Sequence, residues 1–398
     1  MLKQCLDSVF KSRDSDCSVI LVDNNSGIKV IELIKAEFPR IQVIELERNS
    51  GFAAGVNRAI ETVSEPYVLL LNTDAILTNT ALSHMVDALE AAGDDCAGIA
   101  PKMMLSVHNG VIDAIGTVMP DDGASFNRGI GQCDVGQYDE AEEVFGTCFG
   151  ATLLRTELLQ PDRIGSLYEG YFLYFEDSDW CMRARSQGFY FLTEPKAVVY
   201  HLHSGVTRHE TLAFKYKLIE LNTLKIVVRT FESPILVTRI VASRIIRLLA
   251  RTLIRRKYIR GNLSVISSFL RSLPLLISER RQLSRLRTVP DSKIFDFASG
   301  EEAYFDTVNY RPQDHLAALI SAYERLSKTE DNGDRKEILA ILRQLKKASS
   351  VNESIFLREK LLDMVSGEPE CVLCSIRDYA EMSQPVIKNT RFPGSRPQ

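Results

Sequence analysis

Residues 171–203, YFLYFEDSDWCMRARSQGFYFLTEPKAVVYHLH, hold the densest set of chemically capable side chains in the sequence. An aromatic run delivers Glu176, Asp177 and Asp179, spaced to open a helix, where the dipole favours acids. Trp180, Cys181, Ala184 and Phe189 are the apolar positions that follow, with Arg183 and Arg185 among them, and Gly188 suits a helix stop. A short apolar strand, 197–200, then ends on His201 and His203. An Asp at a helix start near cations can serve as a general base or a metal ligand. Taken alone, the acidic triplet also fits a solvated first turn, and the histidines a plain strand end.

A second group of polar residues follows apolar runs earlier in the chain. Asn72-Thr73-Asp74 closes the run 67–71, and Asp74 offers hard oxygen for Mg²⁺ or Mn²⁺, which would neutralise a diphosphate. Asp23 closes the run 17–22 and leads into a turn of Asn24, Asn25, Ser26 and Gly27; an Asx turn held by its own backbone fits it equally. Gly51 and Gly55 flank Phe52-Ala53-Ala54 ahead of Asn57. They would let backbone approach a ligand at a helix start, although a plain helix N-terminus has the same pattern.

The elements that must position these residues alternate. An amphipathic helix over 1–13 shows Leu2, Cys5, Leu6, Val9 and Phe10 on one face. Strands are expected at 17–22, 41–46, 67–71 and 97–100, and helices at 29–38, from 56, and at 80–92. This is α/β spacing, read as a mostly parallel sheet with helices on both faces. Ligands bind such sheets beyond the carboxyl ends of the strands, the edge that receives Asp23, Asn72 and Asp74. Residues 102–148 read as a loop-bearing acceptor region, and 146–154 (GTCFGATLL) should pack beneath Glu176–Asp179.

Composition bounds the class. The 398 residues are 45% hydrophobic and 25% charged, ordinary for a globular protein of two or three domains. Eight scattered cysteines lack a secreted framework's spacing, and Cys371–Cys374 is a lone CxxC without the second pair of a zinc site. The reading is therefore reduced cysteines and a cytoplasmic location. The first ten residues do not resemble a signal peptide, and no run of the ~18 apolar residues of a spanning helix occurs.

Six segments in this order resemble a family 2 glycosyltransferase, in the group with bacterial rhamnosyltransferases: VDNNS at 22–26, RNSGFAAGVN at 48–57, LLNTD at 70–74, GATLLR at 150–155, FLYFEDSDWCMR at 172–183 and VVYHLHSG at 198–205. The resemblance covers about residues 2–205. It implies an A-type, Rossmann-like nucleotide-sugar domain and inverting transfer. Donor-binding positions would be Asp23 (at the nucleoside), Asn25, Gly51, Asn57, Asn72 and Asp74, with Asn72 in place of the first Asp of the usual D-x-D. Asp74 and His201 would hold Mg²⁺ or Mn²⁺, and Asp177 matches the catalytic base. Glu176, Asp179, Trp180 and Arg183 would serve the acceptor side. Family members begin with an apolar strand ahead of the helix matched by 2–13. Met1 stands where that helix starts, so the expectation is a start further upstream or an incomplete sheet with unpaired strand neighbours.

Beyond residue 211 the composition shifts. Residues 225–287 hold fifteen Lys and Arg against Glu232 and Glu279. Arg244, Arg247, Arg251 and Arg255 recur at three and four residues, with Ile240, Val241, Ile245, Leu248, Leu249, Leu253 and Ile254 between them. This reads as a basic amphipathic helix on an anionic membrane surface, or a helical hairpin packed on the catalytic domain. A second helical piece, 263–277, is expected to break at Pro274. Aromatics for stacking bases are sparse, so nucleic acid is not an expected partner. The organisation expected is a catalytic domain over 1–210, the basic helical region over 211–290, a helical appendage over 291–383 and a tail over 384–398.

The function expected is metal-dependent transfer of a sugar, with dTDP-rhamnose the donor the resemblance favours. The acceptor would be a lipid-linked or polysaccharide glycan at the inner face of the cell membrane. The alternative is a non-catalytic sugar-nucleotide- or glycan-binding member of an assembly complex. A nucleotidyltransferase would need a Gly-rich, basic opening loop that this sequence lacks.

Overall fold

The computed structural model describes residues 1–12, 17–26, 28–106, 110–202, 211–254 and 258–298, and further on 316–317, 319–324, 333–347, 357, 360, 361 and 364. His203, the Cys371–Cys374 pair and the tail at 384–398 lie outside these. The chain divides into two compact units: Met1–Val107 with Ile112–Ile130 and Tyr138–Phe305, and His108–Val111 with Gly131–Gln137 and Asp306–Gln398.

The first unit opens with α1 (Leu2–Lys11), β1 (Ile20–Asp23), α2 (Ile28–Glu37), β2 (Gln42–Glu45), α3 (Phe52–Ile60), β3 (Tyr67–Leu71), β4 (Ala75–Leu77), α4 (Ala81–Ala91) and β5 (Cys96–Leu105). The expected alternation is present. α1 buries Cys5, Leu6 and Val9, which its 3.6-residue period brings to one side. Short strands β6 (Ile112–Ala114), β7 (Thr117–Val118), β8 (Phe126–Asn127) and β9 (Glu143–Val144) lead to β10 (Ala151–Arg155), α5 (Glu176–Ser186) and β11 (Tyr190–His201).

The main sheet is mixed. Its order is β3-β10-β5-β11-β4, with β6 on β5 and β9 on β11. β5 and β11 run parallel, whereas β10 is antiparallel to both β3 and β5, and β4 is antiparallel to β11. The excursion between β5 and β10 returns the chain in the opposite sense, and an antiparallel neighbour needs no helical crossover. β1 and β2 form a separate parallel pair. Among the described residues β1 pairs only with β2, and β3 only with β10.

Two apolar layers sandwich the sheet. Met85 and Leu89 of α4 pack with Ile99, Met103 and Val199 on one side. Phe145, Phe149, Trp180 and Phe191 pack with Ile226 and Phe231 on the other. Each fully buried side chain of this size contributes about 1.5–3 kcal/mol. Gly98 is small because a side chain there would strike the Leu153 carbonyl and the Leu154 side chain, where β10 meets β5.

Three helices complete this unit: α6 (Leu212–Thr230), α7 (Pro234–Ile254) and α8 (Ile259–Leu286), followed by the short α9 (Asp291–Ile294). Thr211 caps α6 through its hydroxyl, which accepts from the Phe214 N–H at 3.2 Å. The region beyond residue 210 thus joins the same compact unit as the sheet: Ile226, Val227 and Phe231 enter its core. The helical-hairpin arrangement is observed, and the arginine repeat does not form one solvated face. Arg244 is buried with Ile240 and Leu248 and lies 3.4 Å from Glu220. α8 runs unbroken through Pro274, correcting the expected break. Pro274 sits on the exposed side, where water can satisfy the carbonyl it leaves unbonded.

In the second unit α10 (Gly333–Lys347) buries Ile338, Ile341, Leu342 and Leu345 along one stripe. Its Arg343 pairs with Glu324 at 2.7 Å.

Candidate active site

The carboxyl ends of β3 and β11 and the start of α5 supply the polar residues. After β3 the chain turns on the Asn72 carbonyl, which accepts from the Ala75 N–H at 3.0 Å, and then enters β4. The β4–β11 register sets Ala75 opposite His201, which places His201 beside Asp74. His201 Nε2 lies 3.3 Å from Asp74 Oδ1 and 3.4 Å from Asn72 Nδ2. Its Nδ1 lies 2.6 Å from Asp113 Oδ2, on β6. Burial opposes charge on this imidazole, but Asp113 and Asp74 outweigh it and raise its pKa to about 10. Asp113 is wholly buried, so its carboxylate fixes the ring's orientation and keeps a proton on Nδ1.

α5 begins under unusual backbone constraint. Tyr174 and Phe175 take φ of 69° and 77°, in the left-handed region that bulky residues avoid. Asn222 of α6, itself buried, donates from Nδ2 to the carbonyls of Leu173 and Tyr174, both at 2.9 Å. The turn so held aims the acids of α5 in different directions. Asp177 keeps part of its surface open, while Glu176 and Asp179 are buried.

Asp177 Oδ1 accepts from the Ser178 N–H at 2.6 Å and from its hydroxyl at 3.0 Å, and the nearby Phe149 backbone amide also favours its charged form. Burial raises its pKa and these bonds partly restore it. Glu176 has a buried Oε2 with no hydrogen-bond partner among the described residues. Burial first, and the Asp177 charge second, push Glu176 up to about 8.

One short segment joins the two halves of the site. The Phe149 amide lies beside Asp177, and the next residue, Gly150, accepts from the Asn72 N–H at 2.9 Å. Consecutive Cα atoms are about 3.8 Å apart, so the α5 acid and the Asn72–Asp74 turn flank one stretch of backbone. Cys148, just before it, has its thiol pKa pushed well up by desolvation first and by the charges of Asp177, Asp113 and Glu176 second, and is a poor thiolate. The stretch 146–154 does pack beneath α5: Phe149 lies against Trp180 with ring centroids 6.2 Å apart, and Thr147 N–H meets Cys181 Sγ at 3.4 Å.

Several expected site residues are placed differently. Asp179, Trp180 and Arg183, expected at an acceptor surface, face inward. Asp179 is ion-paired with Arg229 and, at 2.9 Å, with Arg183. Arg183 also bonds the Ser166 carbonyl at 2.8 Å, and Trp180 Nε1 bonds the Gly165 carbonyl at 2.8 Å. Burial opposes the Asp179 charge, but the two guanidiniums outweigh it and hold its pKa low. A charged triad in the core needs partners on every side, and these residues supply them to one another. Asn57 is likewise buried and spans to residues 167–169: its Oδ1 takes the Leu167 N–H and its Nδ2 bonds the Leu167 carbonyl, each at 2.9 Å.

On the donor side, Asp23 Oδ1 accepts from the Ser26 N–H at 2.9 Å, the Asx turn that the sequence also allowed, and Asn25 is exposed with φ of 67°. Asn24 ties this turn to the glycine loop, donating to the Gly51 carbonyl at 2.9 Å and accepting from Ser50 N–H at 2.8 Å. Gly51 has φ of 90°, and a Cβ there would collide with the Phe172 carbonyl, which accepts from Phe52 N–H at 3.1 Å. The loop therefore seats directly on the aromatic run ahead of α5. A recess lined by Ser18, Arg40, Gln42 and Glu65 lies at the opposite, amino ends of β1 and β2 and holds none of these residues.

A carboxylate oxygen beside an imidazole nitrogen suits Mn²⁺, and a single carboxylate with substrate phosphates suits Mg²⁺. Among the described residues no cluster of three His, Cys, Asp or Glu donors occurs. Asp74 and His201 thus fit a cation that completes its shell from a ligand's phosphate oxygens. The sequence reading missed Asp113 and Asn222. Asp113 is a lone acid in an apolar stretch (VIDAIG), the one local hint of a buried role, whereas Asn222 has no local signal.

Residues 1–104 match the family model Glycosyl transferase family 2. The matched segment, about a quarter of the chain, carries Asp23, Gly51, Asn72 and Asp74. A teichoic acid poly(glycerol phosphate) polymerase of Staphylococcus epidermidis is 32% identical over 87 residues, 21% of this chain. The chain spans 12% of that relative's length. Among solved structures, S. aureus TarS 1–349 aligns over 78% of this chain and 91% of its own at 15% identity and a TM-score of 0.43. GalNAc-T7, crystallised with UDP, GalNAc and Mn²⁺, aligns over 55% and 46% at 14% identity and the same TM-score.

Proposed function

We propose that the chain is an inverting glycosyltransferase in which Asp177 is the base, acting in cell-surface glycan synthesis. The observation that carries this reading is the Phe149–Gly150 bridge. It sets the partly exposed Asp177 of α5 and the turn bearing Asp74 on one stretch of backbone, in a chain whose first quarter matches a glycosyltransferase family.

Inversion needs one base on the face of the sugar opposite the departing diphosphate, with no covalent enzyme intermediate. Asp177 accepts the proton of the acceptor hydroxyl as that oxygen attacks the anomeric carbon. Ser178 holds the carboxylate still while it does so, through its N–H and its hydroxyl. Glu176 stays neutral beside it and adds no second negative charge. Asp74 and His201 would hold Mg²⁺ or Mn²⁺, which when bound stabilises charge on the leaving diphosphate. Asp23, Asn25 and the Gly51 loop line the nucleotide side; Asn57 supports that side through residues 167–169.

The donor is a nucleotide sugar, and dTDP-rhamnose heads the candidates on motif resemblance. The acceptor is a lipid-linked or polysaccharide glycan at the inner face of the membrane; the name of the Staphylococcus epidermidis relative supports a cell-wall polymer.

The test is a panel of nucleotide sugars, dTDP-rhamnose included, given to the full chain with Mg²⁺ or Mn²⁺ and lipid-linked or polysaccharide acceptors. Asp177→Asn should retain donor binding and lower transfer by about 10²–10⁴-fold. A parent chain that binds donors but transfers none of them would instead establish a binding module.

A further inference from the structure

α7 and α8 carry an outward apolar ridge. Ile240, Arg244 and Leu248 face inward on α7, and Val265, Phe269 and Leu276 on α8; Leu248, Val265, Phe269 and Leu276 form one cluster with Leu221 and Leu224 of α6, while Ile240 joins the core beneath the sheet. The opposite side of α7 presents Ile246, Leu249, Leu253 and Ile254, continued by Leu263 at the start of α8. Leu253 is 84% exposed and Ile254 79%. Ten of the seventeen large apolar residues exposed among the described residues lie between Ile235 and Leu286.

Charge identifies what covers this ridge. Arg247, Arg260, Arg271 and Arg281 are exposed on the same two helices. Their one acid, Glu279, is half-buried and paired with Arg229 at 2.9 Å. Two such cationic ridges would repel one another, which disfavours a second copy of the chain as the occupant. No helix among the described residues is long and apolar enough to cross a membrane. An apolar stripe flanked by arginines on a helix too polar to span is built to lie in a lipid interface.

We propose that the α7–α8 tip docks on an anionic bilayer, with Leu253, Ile254 and Leu263 entering the acyl boundary and Arg247 and Arg260 meeting the headgroups. This rests on the reading of the chain as a transferase at a membrane surface, and it makes α7–α8 the element that holds the site there.

The full chain is sedimented with phosphatidylcholine vesicles, with or without about one-third phosphatidylglycerol. It should bind the anionic vesicles only, and high salt should release it. Leu253→Ser with Ile254→Ser should weaken binding at least about tenfold, and Arg247→Gln or Arg260→Gln about fivefold each. Leu253→Trp adds an exposed reporter to a chain whose one tryptophan, Trp180, is buried; its emission should shift to the blue on anionic vesicles. Circular dichroism and melting of each variant should match the parent. Equal binding by the serine variant, an unshifted reporter, or self-association of the chain that the same substitutions abolish would each overturn the proposal. Vesicle binding is read without donor or acceptor, so a failed transfer assay leaves it standing and a failed vesicle assay leaves the transferase reading standing.

Discussion

His201 Nδ1 sits 2.6 Å from the buried carboxylate of Asp113, with its Nε2 turned to Asp74. A carboxylate behind an imidazole sets the tautomer, and losing such a partner costs about 10–100-fold in metal affinity or activity. Asp113→Asn should weaken Mn²⁺ binding by that factor, read by calorimetry or by electron spin resonance of free Mn²⁺. Donor binding measured without metal should change little.

Asp179 is held by Arg183 and Arg229 in the core, not presented to a ligand. Asp179→Asn leaves the buried Arg183 without a carboxylate and Arg229 with Glu279 alone, which costs about 3–5 kcal/mol. A urea titration should record a lowered midpoint. Should the substitution leave stability intact and abolish transfer alone, the inward role assigned to Asp179 is mistaken.

Glu176 retains its proton in the folded chain up to about pH 8, against an ordinary value of 4.5 in the unfolded one. Between these values the unfolded chain binds fewer protons, so this group's stabilising contribution is complete below the lower value. It falls as pH rises and is lost above the upper one. Melting temperature should decline across that window. Glu176→Gln, which cannot ionise, should flatten the decline.

Asn222 holds the left-handed Tyr174–Phe175 turn through two carbonyls. Asn222→Ala removes both bonds, each buried group costing about 1–3 kcal/mol to leave unpaired. Transfer should fall because Asp177 is misdirected, with the Michaelis constant for donor moving less than kcat.

Gly51→Ala meets both a φ of 90° and the Phe172 carbonyl. The strain of a side chain at that positive φ is about 1–3 kcal/mol. Lifting the loop from Phe172 should weaken nucleotide-sugar binding, measured as a raised dissociation constant.

The α/β class, the strand ends and the acids of α5 were readable from the sequence, because hydrophobic period and turn residues are local properties. The mixed sense of the sheet was not, because strand direction depends on how the excursion between β5 and β10 returns. Pro274 misled for a related reason: a proline ends a helix in isolation, but packing of Phe269 and Leu276 on either side carries α8 through it.

By itself the sequence determined which residues could do chemistry: Asp23, Asn72, Asp74, Asp177 and His201 stand at element ends, just beyond or before the apolar runs. Tertiary structure alone decided which acid of 176–179 stays accessible, because α5 turns its neighbours toward Arg229 and the Phe145–Trp180 core. It also decided that Asp113 stands behind His201, 88 residues away in the chain. Such pairings arise from sheet register and helix packing, and neither leaves a mark in the spacing of nearby residues.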